Sequence, residues 1–290
     1  MPLVEIEALA ERYLSELTGK AGEILPNLLV LKRRAPSTLE ATVYTPVICL
    51  ILRGSKDISI GTQSLSLHRG DALLVSHDLP VMSRITEASP DNPYLALILT
   101  LDIGTIRALY DQVGEAVTET PDARSLTAFS ARSEWTEPLT RYLRLMDAPL
   151  DALVLGPSIL REVHFRLLMS PMGGMLRNLL SVDSHASRIA RAITRIRNSF
   201  REPLAVADLA RHVGMSQSSF HEHFKAVTGT TPLQFHKDLR LIEAQNLMRT
   251  GGQSVSRASH AVGYESPTHF SRDYARKFGC SPRHHLAQAS

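Results

Sequence analysis

The sequence is poor in cysteine: its 290 residues contain two, Cys49 and Cys280. Two thiols are too few for a disulfide framework or for a structural zinc site built on cysteine. Cys49 lies in the apolar run "VICLIL" and has no basic or metal-binding neighbour in sequence that would support a sensing role. We therefore expect both thiols to be reduced and inert.

Long apolar runs are also missing. No segment approaches the ~18 uninterrupted apolar residues of a transmembrane helix. The first twenty residues, "MPLVEIEALAERYLSELTGK", carry acidic side chains where a signal peptide is basic, and they contain no apolar core. These features predict a cytoplasmic protein without a membrane partner.

Charge is divided unevenly along the chain. Residues 184–290 contain 15 Lys and Arg against 7 Asp and Glu, a net charge of +8, whereas residues 1–183 carry a net charge of −5. A basic lobe beside an acidic one favours a C-terminal part that meets a polyanion, the alternative being a solvated basic surface with no partner. A length of 290 residues also allows about two domains of ordinary size.

The N-terminal half has the pattern of short strands separated by turns. Apolar, β-rich runs cover 47–52, 57–60, 64–67, 72–75 and 93–102, and the turn signals "RGSK", "GTQ" and "HRGD" separate the first four. Many short strands joined by Gly and Asp turns are typical of a small antiparallel barrel or sandwich.

Beyond residue 102 the apolar period becomes helical. Two stripes result, listed here as Leu139, Tyr142, Leu143 and Met146, then Ile159, Leu160, Val163 and Leu167. Each stripe must bury either against the barrel or against the same helix of a second subunit. The second alternative makes these eight residues a candidate dimer interface. The Gly- and Ser-rich segment 170–185 follows, and it predicts a domain boundary near residue 183.

The C-terminal part repeats one motif. "VGMSQSSFHEHFKAVTGTTP" (213–232) returns as "VGYESPTHFSRDYARKFGCSP" (262–282), with Gly214 matching Gly263 and Phe220 matching Phe270. In each copy a short helix, a glycine turn and a second helix with a buried aromatic face predict a helix-turn-helix. Between the copies, residues 232–250 predict a connecting helix.

These motifs, together with "TPVICLILRGSKDISIG" and "GDALLVSHDLPV", resemble the AraC/XylS family of bacterial transcription regulators over nearly the whole chain. The resemblance implies an α+β fold of two domains. Residues 1–183 would form a cupin-like β-barrel with flanking helices that senses an effector and dimerises. Residues 184–290 would form an all-α, homeodomain-like double helix-turn-helix domain, with units at about 204–229 and 253–279.

Burial of the aromatic face leaves a set of outward positions on each second helix. The predicted base contacts are Gln217, Ser218, His221, Glu222, Pro267, Thr268, Ser271 and Arg272. Arg272 is the strongest of them because a guanidinium pairs bidentately with guanine, the alternatives being a phosphate contact or a solvent-facing charge. The predicted phosphate contacts are Arg188, Arg191, Lys225 and Arg276.

By resemblance, the partners are double-stranded DNA, RNA polymerase, a small organic effector and a second copy of the chain. Transcription would be activated. The expected apolar effector pocket lies inside the barrel and is lined by Ile48, Leu50, Leu74 and Leu97, although for any one of them the pattern favours a purely structural core position.

An enzyme on a cupin-like barrel, with the C-terminal half as a DNA-docking module, is the alternative. A metal centre would need two or three histidines and a carboxylate, but the barrel region offers only His68 and His77. No nucleophile elbow, P-loop or dinucleotide fingerprint is present. We therefore expect no catalytic residue, metal or cofactor.

Overall fold

The computed structural model describes residues 2–17, 25–61, 63–113, 126–131, 133–181 and 184–289. The predicted boundary at residue 183 lies outside the described residues. Within them, nine strands form two antiparallel sheets. The strands are β1 (Leu28–Arg33), β2 (Glu40–Tyr44), β3 (Val47–Arg53), β4 (Ser55–Ile60), β5 (Gln63–Leu67), β6 (Asp71–Val75), β7 (Leu79–Glu87), β8 (Tyr94–Thr100) and β9 (Leu126–Ser130).

The strand order is β1-β8-β3-β6-β9 in the first sheet and β2-β7-β4-β5 in the second. Side chains of both sheets meet in one apolar cluster, which includes Val47 and Ile51 of β3 and Ile58 of β4. The strands predicted at 47–52, 57–60, 64–67, 72–75 and 93–102 are confirmed as β3, β4, β5, β6 and β8. The cupin-like barrel is thereby confirmed.

Helices cover the outer face of the first sheet. They are α1 (Pro2–Leu17), α2 (Ile103–Val113), α3 (Ser133–Arg144), α4 (Pro149–Met169) and α5 (Gly174–Leu180). Ile6, Ala10 and Tyr13 of α1 recur at helical spacing and enter the same cluster as the outward side chains of β3 and β8. This layer is the first hydrophobic core of the molecule.

The two predicted stripes bury inside this layer. Six of their residues are almost completely buried in one chain: Leu139, Tyr142, Leu143, Met146, Val163 and Leu167. Ile159 and Leu160 are half-buried against the same cluster. The prediction that these stripes pair two chains is therefore wrong, because α3, α4 and the sheet already cover them.

The C-terminal part is entirely helical over its described residues. Its helices are α6 (His185–Asn198), α7 (Val206–His212), α8 (Gln217–Thr228), α9 (Pro232–Arg249), α10 (Val255–Ala261), α11 (Pro267–Phe278) and α12 (Pro282–Ala289). The predicted two-helix corners and the connecting helix are confirmed as α7–α8, α10–α11 and α9.

The two corners repeat the same local chemistry. Gly214 and Gly263 make the turns with φ of 68° and 86°, a region that L side chains rarely adopt. Ser216 and Ser266 then cap the second helices. Each hydroxyl accepts the N–H of the third helical residue, at 3.2 Å in α8 and 3.4 Å in α11.

Arg240 on α9 joins the two units. Its guanidinium donates to the carbonyl oxygens of Phe200 (2.6 Å), Arg201 (2.8 Å) and Glu202 (2.8 Å), all in the segment after α6. It also donates to Gly263 O in the second corner, at 3.1 Å. One half-buried side chain therefore links the end of α6, the connecting helix and the second turn.

The first helix-turn-helix unit packs directly on the barrel. Ile60 of β4 lies in the same apolar cluster as Ile189 of α6 and Phe224 of α8. At the β4–β5 turn, a Cβ built on Gly61 would lie 2.3 Å from the backbone oxygen of Gly229, so the two backbones touch. These contacts make the barrel an immediate neighbour of the first unit.

Candidate nucleic-acid interface

The first corner holds α8 by a small, apolar crossing. Leu209, Ala210 and Val213 are buried where α7 meets α8, and the N–H of Met215 donates to Ala210 O at 2.9 Å. Phe220 and Phe224 fill the inner face of α8 and are completely buried. This packing fixes which side of α8 faces outward.

The predicted outward positions of α8 are exposed. Gln217, Ser218, His221 and Glu222 form a polar surface on its first two turns, and Lys225 continues that surface. An exposed amide, hydroxyl, imidazole and carboxylate on the N-terminal half of such a helix can donate to or accept from base edges in a major groove.

On α11, fewer of the predicted positions are exposed than on α8. Thr268 and Arg272 are exposed, whereas Pro267 and Ser271 are half-buried. The Ser271 hydroxyl already donates to Pro267 O at 2.8 Å. His269 lies between these positions, is exposed, and is absent from the predicted set. The predicted inward position of its neighbour Phe270 could have indicated that His269 faces outward.

Arg272 and Arg276 differ in electrostatic surroundings. Arg276 pairs with Asp273, which also accepts from Lys237 Nζ at 3.2 Å. Arg272 has no ion-pair partner among the described residues. Its guanidinium is therefore available to an external acceptor without breaking an internal contact.

Two of the predicted phosphate contacts, Arg188 and Arg191, lie next to other features of the protein. Arg188 donates to Gly214 O at 3.1 Å and so supports the first turn. Arg191, one turn of helix α6 away, borders a cavity. Lys225 is exposed on α8.

That cavity, the junction cavity, has a volume of about 470 Å³ and lies where the barrel meets α6. Its floor is the segment Ser76–Asp78 after β6. Its walls are mostly apolar side chains of α2, α5 and α6, among them Ile106, Leu176, Leu180 and Ile193. Asp78 pairs with Arg197 at the last turn of α6, so the floor is tied to the first helix of the C-terminal part. Burial lowers the pKa of His77 to about 3, which keeps this imidazole neutral at pH 7.

The predicted barrel pocket is wrong. Ile48, Leu50, Leu74 and Leu97 point away from the barrel interior and pack against the helices of the outer layer. Their neighbours in sequence, such as Val47 and Cys49, face the interior instead. Side chains of a strand alternate between its two faces, so a shift of one residue exchanges interior for exterior.

The two barrel-region histidines lie apart. His68 is 67% exposed in a turn near Asp71, whereas His77 is buried at the junction cavity. No group of three His, Cys, Asp or Glu side chains with metal-binding geometry occurs in the described parts of the chain.

Burial raises the pKa of the Cys49 thiol, which disfavours its thiolate. None of the helices in the described ranges has both the length and the apolar character to cross a bilayer.

Curated relatives match less than half of this chain. The HTH-type transcriptional activator RhaS of Escherichia fergusonii is 30% identical over 124 residues, 42% of this chain and 44% of RhaS. The HTH-type transcriptional regulator ExsA of Pseudomonas aeruginosa is 25% identical over 123 residues, again 42% and 44%. Each match thus spans less than half the length of the relative.

ToxT of Vibrio cholerae shares the fold. Its structure bound to (E)-4-(8-methylnaphthalen-1-yl)but-3-enoic acid has a TM-score of 0.56 at 14% identity, covering 91% of this chain and all of that one. Residues 209–288 match a helix-turn-helix domain family. Residues 24–175, more than half of the chain, match the family described as AraC-type transcriptional regulator N-terminus. This chain therefore belongs to the AraC/XylS family of transcriptional regulators and carries its helix-turn-helix DNA-binding domain.

Proposed function

We propose that this regulator reads a specific DNA sequence with α8 and α11, one helix in each of two major-groove segments. The observation that carries the proposal is the repeated exposed surface that the two corners present. Gln217, Ser218, His221 and Glu222 supply it on α8, and Thr268, His269 and Arg272 supply it on α11. Pro267 and Ser271 contribute shape at the edge of the second surface.

Within this surface, Arg272 reads a guanine. Its exposure and its lack of an ion-pair partner in the described residues support this role, since a base contact then costs no internal interaction. Lys225 and Arg276 bind phosphates, and the exposed Arg276 exchanges Asp273, which keeps its contact with Lys237, for a phosphate oxygen. Arg188 and Arg191 add positive charge beside the first unit.

Transcription is activated, through contact with RNA polymerase, when a small organic effector binds. The activator RhaS among the relatives supports the direction of regulation. The ToxT structures bound to an unsaturated fatty acid and to a butenoic acid derivative support the effector. We place the effector in the junction cavity, whose volume lies in the range of ligand pockets.

Two chains pair through the start of α4 in place of the buried stripes. Leu150, Leu153 and Val154 are 77%, 73% and 68% exposed there, and their spacing puts them on one side of the helix. An exposed apolar stripe of this kind is covered by association in many regulators built as symmetric dimers.

The DNA proposal is tested by fluorescence anisotropy with the full chain and DNA from upstream of its own gene. Wild type, Arg272→Ala and Arg276→Ala are titrated over a salt series with random DNA as competitor. Arg272→Ala should lose about 1–3 kcal/mol of discrimination at one base pair, roughly 5–150-fold. Arg276→Ala should weaken specific and random DNA alike and lower the salt slope by about 1.

Equal binding of specific and random DNA by wild type would refute sequence-specific reading. Unchanged discrimination in Arg272→Ala, with wild-type specificity intact, would move base reading to α8. An in vitro transcription assay with bacterial RNA polymerase then separates activation from repression on the same DNA.

A further inference from the structure

Two ion pairs of opposite direction, the crossed ion pairs, attach the second reading helix to the connecting helix. Lys237 Nζ of α9 lies 3.2 Å from Asp273 Oδ2 of α11, and Lys277 Nζ of α11 lies 3.0 Å from Asp238 Oδ1 of α9. The side chains of Lys277, Asp238 and Asp273 are only 10%, 14% and 15% exposed. The crossed ion pairs are therefore screened less by salt than pairs on an open surface.

Both aspartates accept further hydrogen bonds. Gln234 Nε2 donates to Asp238 Oδ1 at 2.8 Å, and the Tyr264 hydroxyl in the second turn donates to Asp273 Oδ2 at 3.3 Å. Asp273 thus joins α9, the second turn and α11. It also directly follows Arg272 in sequence, so a displacement of Asp273 moves the backbone that carries the Arg272 side chain.

The first unit holds its reading helix in a different way. In the repeated motif, His223 matches Asp273 and Val227 matches Lys277. Val227 is buried in the apolar cluster of the first unit, and the His223 ring stacks on that of His185 of α6 at 3.7 Å between centroids. The first reading helix is therefore mounted through apolar and ring contacts, whereas the second has charges at the equivalent positions.

The order of the charges selects one register between α9 and α11. Lys237 precedes Asp238 on α9, whereas on α11 Asp273 precedes Lys277 by about one turn. A shift of α11 by one turn along α9 would bring the two lysines or the two aspartates together, and like charges repel most strongly where solvent is excluded. The apolar cluster that the helices also share has no such preference, because apolar contact is not directional.

We propose that the crossed ion pairs are positioning residues for base reading. They hold α11 in one register on α9, and this register aims Arg272 at its base and sets the spacing between the DNA elements that α8 and α11 read. The inference rests on the proposed DNA-reading function and adds the residues that determine its geometry.

Asp238→Asn separates positioning from simple electrostatics, because the two predict opposite results. The change is isosteric and removes a negative charge from a DNA-binding domain, so Coulomb attraction alone predicts equal or tighter DNA binding. Positioning predicts a loss, since Lys277 is left without its partner in a site shielded from solvent and α11 must shift. Anisotropy titration of the full chain should show at least about 5-fold weaker discrimination at the base pairs that α11 reads.

The base pairs are assigned with reading-surface variants. Those at which Arg272→Ala or Thr268→Ala loses discrimination belong to α11, and those at which Gln217→Ala loses it belong to α8. Asp238→Asn should keep discrimination at the α8 base pairs, because the crossed ion pairs do not touch that helix. Glu243→Gln is the matched control: it neutralises a half-buried carboxylate of α9 outside the crossed ion pairs and should leave both sets unchanged.

A double-mutant cycle tests the pair itself. Lys277→Gln should lose discrimination at the α11 base pairs, as Asp238→Asn does. The double variant should lose no more than either single variant, because each already breaks the pair and the double variant leaves no unpaired buried charge. Additive losses would show that the two side chains act independently and would overturn the proposal.

The distance between the reading helices gives a measurement without DNA. Spin labels on Ser218→Cys and Thr268→Cys, both at exposed positions, report it by pulsed electron paramagnetic resonance. The labels are introduced together with Cys280→Ser, whereas Cys49 is buried and stays. Asp238→Asn should shift or broaden the distance distribution between α8 and α11.

An unchanged distance distribution in Asp238→Asn would overturn the proposal, and so would unchanged discrimination at the α11 base pairs. Equal loss at the α8 and α11 base pairs would also overturn it, because that result indicates general destabilisation of the domain. If wild type binds all DNA alike, the proposed DNA-reading function fails. The distance measurement then still decides whether the crossed ion pairs fix α11.

Discussion

At the scale of single residues, the most consequential side chains are polar groups that hold elements together. Arg240 satisfies four carbonyl oxygens that helix and turn geometry would otherwise leave open. Arg240 lies on the polar side of the periodic pattern of α9. The sequence therefore does not distinguish it from a solvent-exposed arginine. Only the folded backbone brings the segment after α6 and the second turn within its reach.

Arg240→Met should lower the free energy of unfolding by roughly 2–4 kcal/mol, because four carbonyl oxygens, those of Phe200 and Gly263 in part-buried hydrogen bonds, lose a charged donor. Urea denaturation of the full chain measures the loss. Arg249→Met, on the exposed end of the same helix, is the control and should cost less than about 0.5 kcal/mol. Equal losses in the two variants would show that the four hydrogen bonds add no net stability.

His164 gives the molecule a pH-dependent contact. The N–H of Asp102 donates to His164 Nε2 at 2.9 Å, and Nδ1 then donates to Leu160 O at 2.6 Å, so the ring is neutral. Burial lowers the pKa of His164 below its usual value. The unfolded chain therefore binds the proton more readily, and stability from this group is complete above about pH 6.5 and lost as the pH falls.

We expect wild type to exceed His164→Gln in stability most at pH 7.5 and progressively less at pH 6.0 and 5.0. Urea denaturation at the three values gives the difference. His68→Gln, at a side chain 67% exposed, is the control and should show only a small difference in stability. A His164→Gln difference that does not shrink with acidity would contradict the neutral, buried ring.

At the scale of elements, the two helix-turn-helix units are similar but not equally constrained. A Cβ on Gly214 would meet nothing closer than Arg188 Nη1 at 3.8 Å. A Cβ on Gly263 would lie 2.0 Å from the backbone oxygen of Arg201. The second turn is therefore packed against the segment that Arg240 fixes, whereas the first turn is open.

Gly214→Ala should cost about 1 kcal/mol, the strain of a positive φ alone. Gly263→Ala has the same strain and in addition must displace backbone, so we expect at least about 2 kcal/mol more. Thermal or urea unfolding of the two full-length variants provides the comparison, each turn serving as the control for the other. Equal costs would mean that the contact with Arg201 relaxes freely.

At the scale of the whole molecule, the barrel and the first unit share one apolar cluster, and the junction cavity lies at their contact. The effector site that we propose there would act on the DNA-reading helices directly, without relay through the distant layer of α3 and α4. That layer leaves one apolar stripe uncovered, at the start of α4, and the stripe is the surface proposed for pairing.

Leu153→Glu should shift the chain toward monomer, since a carboxylate at the centre of an apolar contact loses its hydration. Sedimentation equilibrium over a range of concentrations measures the dissociation constant, with an expected increase of tenfold or more. Leu39→Glu, at an isolated exposed leucine, is the control and should leave association unchanged. A wild-type chain that stays monomeric throughout would refute pairing by this surface.

Several strands escaped sequence-based prediction for identifiable reasons. β7 contains Pro80 near its start and β2 is short and polar at its first residue, so neither has a clear alternating pattern. The sequence also does not show which face of β3 or of β8 points into the barrel. Both strands are apolar at nearly every position because one face lines the barrel and the other meets helices. Because the apolar residues do not alternate with polar ones, the predicted pocket contains the side chains that face the outer helices.

The sequence by itself determined the helix-turn-helix pair, most of its outward positions and the barrel class, because those depend on local periodicity, turn glycines and a motif that occurs twice in the chain. Tertiary structure alone decided which face of β3 lines the barrel, that the α3 and α4 stripes are covered within one chain, and that Ser76–Asp78 meets Arg107 and Arg191 around a cavity. These outcomes depend on contacts between residues far apart in sequence. Such contacts are selected by the packing of whole layers, and local patterns do not encode them.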